Sequence, residues 1–235
     1  MNNPYLDPAR VRSALRALQL RPSRGMGQNF LVDPQALAAI VAAAELGPVD
    51  TALEVGPGLG VLTWELVRRA GTVVAVELDK RLADRLRQEF ASARNLTIVQ
   101  ADVLKLPPEE LLAAAHDQRP TTNDQRPTTG DERAVVTISD AEADAGERSS
   151  LAVRRSSFKV VANLPYAITS PVLRHFLEAR LRPELLVVLV QWEVAERIAA
   201  GPGDLSVLAH AVQLYATPEI VARVPAASFV PAPAV

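Results

Sequence analysis

Hydrophobic positions in the first 50 residues recur at the spacing of an α-helix. Apolar residues follow Asp7-Pro8 every three or four positions, and Asp before Pro is typical of an N-cap and the first helical position. Asp33-Pro34 repeats this signal, and the apolar stretch behind it ends at Gly47, a residue type that commonly terminates helices. The pattern therefore predicts two helices, joined by a loop, at the start of the chain.

From residue 51 the pattern changes to short apolar runs of strand length that alternate with helical stretches. The apolar runs are 52–55, 72–76, 96–99, 159–162 and 185–190, and the helical stretches are 60–70, 80–93, one from Pro171, 193–200 and 205–215. Such alternation is typical of an α/β fold with a doubly wound, mostly parallel sheet. We therefore predict a Rossmann-like domain over residues 33–235, preceded by an N-terminal helix and basic loop over residues 1–32.

One segment interrupts this alternation. Residues 116–157 have almost no apolar periodicity and contain a near-perfect tandem repeat, 117–123 followed by 124–130. Their polar, acidic and proline-containing composition does not bury enough surface to order a chain. We predict a disordered and dispensable insertion between two strands, with a partner-binding loop as the alternative.

Composition narrows the class of protein. Hydrophobic residues make up 49% of the 235 residues, which suffices for one sizeable core. No apolar run reaches the roughly 18 to 20 residues that a bilayer crossing needs, and no secretory signal is visible. The lack of cysteine excludes disulfides, thiolate metal sites and a cysteine nucleophile. We therefore predict a cytoplasmic protein without a membrane segment.

Charge gives a mixed indication of the partner. The net charge of −2 argues against binding to nucleic acid, because phosphate contacts dominate such affinity. Residues 9–24, however, contain no acidic residue and five arginines, Arg10, Arg12, Arg16, Arg21 and Arg24. This segment is predicted to be either an RNA-facing arm or the solvated face of a helix.

A glycine-rich loop follows the first predicted strand and leads into a helix. In Glu54-Val-Gly-Pro-Gly-Leu-Gly60, glycines allow the amides at a helix N-terminus to approach a ligand closely. The G-x-G-x-G spacing differs from the G-x-G-x-x-G dinucleotide fingerprint. A tight structural turn is the alternative interpretation.

Two acidic residues follow the next two predicted strands. Glu77 ends the second strand, where a carboxylate can accept hydrogen bonds from both ribose hydroxyls. Asp102 follows the third strand and can accept one from the exocyclic amine of an adenine. Either acid alone is often a helix N-cap. The carboxyl ends of parallel strands line one crevice, so the loop and both acids together predict a nucleoside-binding site.

The tetrapeptide Asn163-Leu-Pro-Tyr166 follows the fourth predicted strand and therefore lies at the same crevice. Tyr166 offers a face on which an adenine can stack, and the Asn163 side-chain oxygen and the Leu164 carbonyl are acceptors for its exocyclic amine. Pro165 fixes the turn. A proline turn capped by asparagine is the purely structural alternative.

In this order the motifs resemble those of the ribosomal RNA adenine N6,N6-dimethyltransferases, which dimethylate two adjacent adenosines near the 3′ end of small-subunit rRNA. The resemblance runs from about residue 21 to residue 235, apart from the insertion. It rests on Gly27-Gln-Asn-Phe-Leu31, the 54–60 loop, Glu77, Asp102, Asn163-Leu-Pro-Tyr166, Gln191-Trp-Glu-Val-Ala-Glu-Arg197, Leu205-Ser-Val207 and Phe229-Val-Pro-Ala-Pro-Ala-Val235.

The resemblance implies a class I S-adenosylmethionine-dependent methyltransferase. The residues implied to bind the cofactor, S-adenosylmethionine, are Asn29, Leu31, Gly56, Gly58, Glu77, Asp102 and Asn163. The catalytic residues implied to hold the adenine are Asn163, Leu164, Pro165, Tyr166 and Phe229, with Phe229 stacking opposite Tyr166. No metal is required for direct displacement at the methyl group. The implied partner is the small-subunit rRNA of an immature small ribosomal subunit, and we expect a monomer at full length.

The chain departs from the family pattern in two places. Gly201-Pro-Gly-Asp204 is shorter than the family's corresponding loop and lacks its tyrosine. The family also continues past the motif at Phe229 into a strand, antiparallel between the fifth and sixth strands, and a small helical domain. The chain stops at Val235, so we expect both to be missing, with residues 219–224 unpaired and 185–190 as an exposed apolar edge.

Two other functions remain open. Related enzymes methylate one large-subunit rRNA adenine and give macrolide resistance, although their tetrapeptide more often has Ile at the position of Leu164. A non-catalytic ribosome-assembly factor keeps the fold without the activity, and the complete Asn163-Leu-Pro-Tyr166 motif argues against it.

Overall fold

The computed structural model describes residues 3–20, 29–114, 133–140 and 158–233. The α-helices are α1 (Pro8–Ala17), α2 (Pro34–Ala43), α3 (Val61–Leu66), α4 (Lys80–Glu89), α5 (Pro108–Ala113), α6 (Thr169–Leu177), α7 (Trp192–Ile198) and α8 (Val207–Gln213). The strands are β1 (Phe30–Leu31), β2 (Thr51–Val55), β3 (Thr72–Glu77), β4 (Leu96–Gln100), β5 (Arg133–Asp140), β6 (Phe158–Asn163), β7 (Leu185–Gln191), β8 (Ala216–Val224) and β9 (Phe229–Val230). No helix in these ranges is both long enough and apolar enough to span a bilayer.

Seven strands in the described part of the chain form one sheet in the order β4-β3-β2-β6-β7-β5-β8. Neighbouring strands from β4 to β7 run parallel, whereas β5 is antiparallel to β7 and to β8. Side chains that alternate along the strands contribute to two hydrophobic clusters, one on each face, which the helices cover. The predicted α/β, Rossmann-like fold is confirmed.

The predicted helix starts are confirmed as well. Asp7 and Asp33 accept hydrogen bonds from backbone amides in the first turns of α1 and α2. α2 ends at Ala43, earlier than predicted, because Glu45 has a left-handed φ of 45° that interrupts helical geometry.

The N-terminal segment packs on the same core as the sheet. Tyr5, Val11 and Leu15 are at most 4% exposed and belong to one hydrophobic cluster with residues of α2 and of the sheet. β1 also pairs with β9 from the opposite end of the chain. The boundary predicted at residue 32 therefore does not separate two cores.

β5 corrects the prediction that residues 116–157 are a disordered insertion, which is wrong for residues 133–140. Four residues of this strand, Ala134, Val135, Val136 and Ile138, are 0% exposed. Apolar, mostly β-branched residues favour a strand, and β7 and β8 provide hydrogen-bonding partners on both sides. The other residues of the predicted insertion, 116–132 and 141–157, lie outside the described residues.

β5 also corrects the expectation about the sheet's edge. Its residues pair with β7 from Arg133 opposite Gln191, and with β8 from Arg133 opposite Val224. Residues 219–224 therefore have a neighbour, and β7 is an interior strand that is buried from 186 to 190. The position expected to be left open is filled by a segment that composition alone had marked as disordered.

We expect Val136→Asp to lower the free energy of unfolding by more than about 3 kcal/mol, because it buries an unpaired charge at the centre of the sheet. Ser139→Asp, at an exposed position of the same strand, is the control and should change it by less than about 1 kcal/mol. Urea unfolding measures both. Equal effects of the two substitutions would contradict the placement of β5.

Candidate active site

The predicted site residues meet at the carboxyl ends of the parallel strands. β2 lies between β3 and β6, so the loop after Val55 is flanked by Glu77 at the end of β3 and by Asn163 at the end of β6. Asp102 follows β4, the strand on the far side of β3. Sheet topology thus brings together residues that are far apart in sequence.

The loop between β2 and α3 depends on glycine at specific positions. Gly56 has a φ of +66° and Gly60 a φ of +89°, a conformation that L side chains rarely adopt. A Cβ at Gly60 would lie 2.7 Å from the ring of Phe90, so this glycine also permits close packing. A Cβ at Gly56 would meet no atom within 4 Å, so the backbone there borders open space. That exposed backbone leaves room for a ligand against the loop.

Glu77 joins the loop to the end of β3. Its two carboxylate oxygens accept hydrogen bonds from the backbone amides of Gly58 and Asp79, each at 3.0 Å. Burial raises the pKa of Glu77 to about 6, although these backbone hydrogen bonds lower it. Each carboxylate oxygen has a second acceptor site, so Glu77 can accept further hydrogen bonds from a ligand.

Glu54 is a buried acid whose environment sequence reasoning missed. Its side chain points from β2 to Thr63 of α3, whose hydroxyl donates to Glu54 Oε2 at 2.6 Å. Burial raises the pKa of Glu54 to about 8, and the nearby Glu77 contributes in the same direction. Glu54 is therefore largely neutral at pH 7, and its hydrogen bond fixes the start of α3 behind the glycine loop. The sequence signal was an acidic residue within an otherwise apolar strand.

Asp102 caps the 3-10 helix Val103–Lys105 by accepting a hydrogen bond from the backbone amide of Leu104 at 3.1 Å. Its other carboxylate oxygen lies 3.8 Å from Lys105 Nζ. The capping role that sequence reasoning kept as an alternative is therefore present. A contact between Asp102 and an adenine amine stays a prediction.

Asn29, Asn163 and Tyr166 form one hydrogen-bonded group. Asn163 Nδ2 donates to the backbone oxygen of Asn29 at 3.3 Å, and Asn29 Nδ2 donates to the Tyr166 hydroxyl at 3.5 Å. Leu164 is fully buried, and its backbone amide donates to Leu189 of β7. Pro165 begins the 3-10 helix Tyr166–Ile168 and, through its carbonyl, accepts from Thr169. The tetrapeptide is therefore a fixed turn that holds Asn163 and Tyr166 beside Asn29.

Phe229 is held against this group by the pairing of β1 with β9. Leu31 lies opposite Phe229, and its side chain is 1% exposed within the core. The Ser228 hydroxyl donates to Asp33 at 2.6 Å, and this hydrogen bond lowers the pKa of the Asp33 carboxyl. The two motifs predicted at opposite ends of the chain thus stabilise each other. The predicted contact of Leu31 with a cofactor is not tested by this packing.

Arg133, the first residue of β5, occupies the space between Tyr166 and Phe229. Its guanidinium carbon lies 4.7 Å from the centre of the Tyr166 ring and 4.8 Å from that of Phe229. Arg133 Nη1 donates a hydrogen bond to Asn163 Oδ1, and the side chain is 1% exposed. Burial lowers the pKa of Arg133, and the Tyr166 hydroxyl partly offsets this effect. Sequence reasoning missed this residue because it lies in the segment predicted to be disordered.

A mostly apolar groove that carries two arginines adjoins Phe229. A cavity of about 420 Å³ is lined by Arg12 and Arg16 of α1 together with Phe229 and Pro231. Arg10 instead lies over the Tyr5 ring and pairs with Glu89, and Arg21 and Arg24 lie outside the described residues. Part of the predicted basic arm therefore faces the site.

The arrangement suits binding of a flat, nitrogen-bearing group next to the crevice at the strand ends. Tyr166 and Phe229 form an aromatic slot, which we define as the space between their two rings, and Asn163 provides a hydrogen-bond acceptor at its edge. Among the described residues no three His, Asp or Glu side chains are grouped so that they could hold a metal ion.

Comparisons with known proteins match most of the chain. A family model described as ribosomal RNA adenine dimethylase matches residues 20–235. The ribosomal RNA small subunit methyltransferase A of Dehalococcoides mccartyi is 39% identical over 227 residues, which are 97% of this chain and 64% of that relative. The chain therefore spans somewhat less than two thirds of the length of this relative.

Two solved structures share the fold. The crystal structure of the 23S rRNA methyltransferase ErmE has a TM-score of 0.63 and 29% identity, covering 88% of this chain and 66% of that one. A dimethyladenosine transferase from Plasmodium falciparum has a TM-score of 0.60 and 24% identity, covering 86% and 58%. The latter similarity concerns the fold alone.

The buried Glu54 predicts an unusual pH dependence of stability. Its pKa rises from 4.5 in a model peptide to about 8 in the folded protein, so the folded state binds more protons than the unfolded state between these values. Its contribution is therefore most favourable below pH 4.5 and is lost as the pH rises toward 8. In the wild type, this contribution to the free energy of unfolding should fall by up to about 4 kcal/mol as the pH rises. Glu54→Gln should abolish this fall.

Urea unfolding between pH 5 and 8 measures the effect. Glu196→Gln, which changes an exposed carboxylate on α7, is the control and should leave the pH profile as it is. A Glu54→Gln profile parallel to that of the wild type would show that Glu54 is not buried as described.

Proposed function

Because the chain belongs to the ribosomal RNA adenine dimethylase family, as its motifs predicted, we propose that it transfers methyl groups from S-adenosylmethionine to N6 of two adjacent adenosines near the 3′ end of 16S small-subunit rRNA. The observation that carries this proposal is the aromatic slot. Tyr166 and Phe229 hold the planar guanidinium of Arg133 between their rings, and Asn163 accepts a hydrogen bond from it. An adenine base is also planar and also donates hydrogen bonds, through its exocyclic amine, so the same rings and acceptor can bind it.

The residues at the carboxyl ends of β2 and β3 fit S-adenosylmethionine. Gly56 borders open space, and Glu77 keeps acceptor sites that suit the two hydroxyls of a ribose. The proposed binding set is Asn29, Leu31, Gly56, Gly58, Glu77, Asp102 and Asn163. When bound, the cofactor supplies an electrophilic methyl group on a sulfonium. The protein's task is to hold the base and the cofactor in one geometry.

We assign the positioning of the base to the tetrapeptide and Phe229. Tyr166 and Phe229 stack on its two faces, while Asn163 Oδ1 and the Leu164 carbonyl accept hydrogen bonds from N6. Two acceptors orient the amine so that its lone pair leaves conjugation with the ring and becomes available as a nucleophile. Holding reactants in this way can supply much of the rate enhancement. A base must first leave its stack in the RNA to enter such a slot.

The groove beside Phe229 gives the RNA a path to the slot. Arg12 and Arg16 can contact phosphates, and Phe229 lines the same groove. Phosphate contacts supply affinity without sequence information, so we assign the choice of adenosine to the slot. The proposed partner is small-subunit rRNA within an immature small ribosomal subunit.

A second candidate substrate is a large-subunit rRNA adenine. The similarity to the 23S rRNA methyltransferase ErmE favours it, at 29% identity. The 39% identity to a small-subunit enzyme and Leu164 in the tetrapeptide favour the first candidate. A factor that only binds small subunits would share the fold and transfer no methyl groups.

Methyl transfer from labelled S-adenosylmethionine tests the proposal. We expect incorporation into unmethylated small subunits and little into large-subunit RNA, and Asn163→Ala should lower turnover at least about a hundred-fold because an acceptor for N6 is lost. Calorimetry should find its cofactor affinity nearly unchanged, because the main contact of Asn163 is with the base and its contact with the cofactor is minor. Near wild-type methyl transfer by Asn163→Ala would contradict the proposed mechanism. Label found in large-subunit RNA alone would favour the second candidate.

Glu77 and Asp102 should contribute unequally to cofactor affinity. Glu77→Ala removes a carboxylate that accepts two charge-assisted hydrogen bonds, each worth roughly 1.5 to 3 kcal/mol, whereas Asp102→Ala removes one. The ionised carboxylate is the acceptor, and the pKa of Glu77 is about 6, so affinity should rise between pH 5 and 7 in the wild type. Calorimetry at several pH values measures this. An unchanged affinity of Glu77→Ala for S-adenosylmethionine would contradict the assignment of Glu77 to the cofactor site.

A further inference from the structure

The guanidinium of Arg133 fills the aromatic slot in this structure. It lies 4.7 Å and 4.8 Å from the two ring centres, within the roughly 6 Å over which a cation is attracted to an aromatic face. Its Nη1 donates to Asn163 Oδ1, the atom that the proposed function assigns to the amine of the target base. Arg133 is itself buried there, with 1% of its surface exposed.

A guanidinium and an adenine edge present similar chemistry to this slot. Both are planar, both stack on aromatic rings, and both offer N–H donors in their own plane. The acceptor and the two rings can therefore bind either group. They cannot bind both at once, because the guanidinium already lies between the rings.

Strand pairing holds Arg133 next to the slot. Its backbone is fixed between Gln191 of β7 and Val224 of β8, and the following residues of β5 are buried in the sheet. A group tethered in this way competes at a high effective concentration against a base that must arrive from solution. The arginine side chain is flexible, so it can leave the slot while β5 stays paired.

The forces on the guanidinium act in opposite directions. Two ring contacts and a hydrogen bond favour the slot, whereas removal of the charge from water opposes it. The pKa of Arg133 is lowered by its burial, which reflects that opposing cost. A base with no net charge avoids this cost on entering.

We propose that Arg133 is an internal competitor for the target base, so that the β5 segment autoinhibits the enzyme until adenine displaces the guanidinium from between Tyr166 and Phe229. This inference rests on the proposed function of the slot. It predicts that the RNA substrate has to displace the Arg133 guanidinium before its adenine can bind. Binding of the cofactor does not require this displacement.

Steady-state methylation of small subunits by the wild type and by Arg133→Ala tests the proposal. We expect the variant to have a KM for RNA about ten-fold lower, equivalent to about 1.4 kcal/mol, with kcat and cofactor affinity unchanged. Arg182→Ala is the matched control, because it removes a guanidinium that lies 5.5 Å from the centre of the Tyr215 ring outside the slot. It should leave the KM for RNA as it is.

Chemical complementation provides a second test. Methylguanidinium should enter the emptied slot and inhibit Arg133→Ala competitively with RNA, while inhibiting the wild type less at the same concentration. If Arg133→Ala does not fold, Arg133→Lys retains the apolar stem and the charge but lacks the planar fork, and should still lower the KM. A KM that is unchanged or higher in a folded Arg133 variant overturns the proposal.

Failure of the proposed function is distinguishable from failure of this inference. If neither protein methylates any RNA, the function is wrong, and calorimetry with adenosine then decides the inference alone. Tighter adenosine binding by Arg133→Ala than by the wild type supports competition for the slot. Equal affinities overturn it.

Discussion

The hydrogen-bonded placement of β5 between β7 and β8 is the interaction on which the rest of the molecule depends. β7 is almost wholly apolar and is an interior strand only because β5 covers its second edge. Among the described strands, β8 pairs with β5 alone. The same pairing carries Arg133 to the end of the sheet, where Tyr166 and Phe229 lie. One strand therefore completes the core and fills the candidate site.

Buried acids give the crevice its electrostatic character. Glu54 lies in β2, and Glu77 ends the adjacent strand β3. Both side chains are buried, yet their pKa values are raised to different extents. Two backbone amides favour the ionised form of Glu77, whereas Glu54 has one hydroxyl partner and feels the charge of Glu77. At neutral pH one acid is charged and faces the ligand crevice, while the other is neutral and supports the loop. Identical side chains thus acquire separate roles from their surroundings.

Local signals predicted most of the fold and much of the site. Asp7 and Asp33 cap their helices, and strand-end positions brought Glu77 and Asn163 to one crevice, because topology follows from alternating strands and helices. β5 escaped prediction because its apolar run is short, lies within a long polar segment and pairs with strands that are distant in sequence. Arg133 was missed with it. The apolar strand around Glu54 indicated its burial, but the contribution of the nearby Glu77 to its raised pKa depends on the folded structure.

The position of β5 in the chain also affects the order of assembly during synthesis. Residues 133–140 leave the ribosome before either β7 or β8, the strands with which they pair. Non-local antiparallel pairs of this kind form late and slowly, because a long loop must close first. Until residue 224 has emerged, the apolar strands β5 and β7 lack complete shielding and can associate with other chains. A nascent chain of this protein therefore exposes apolar strand surface until its last pairing strand has been synthesised.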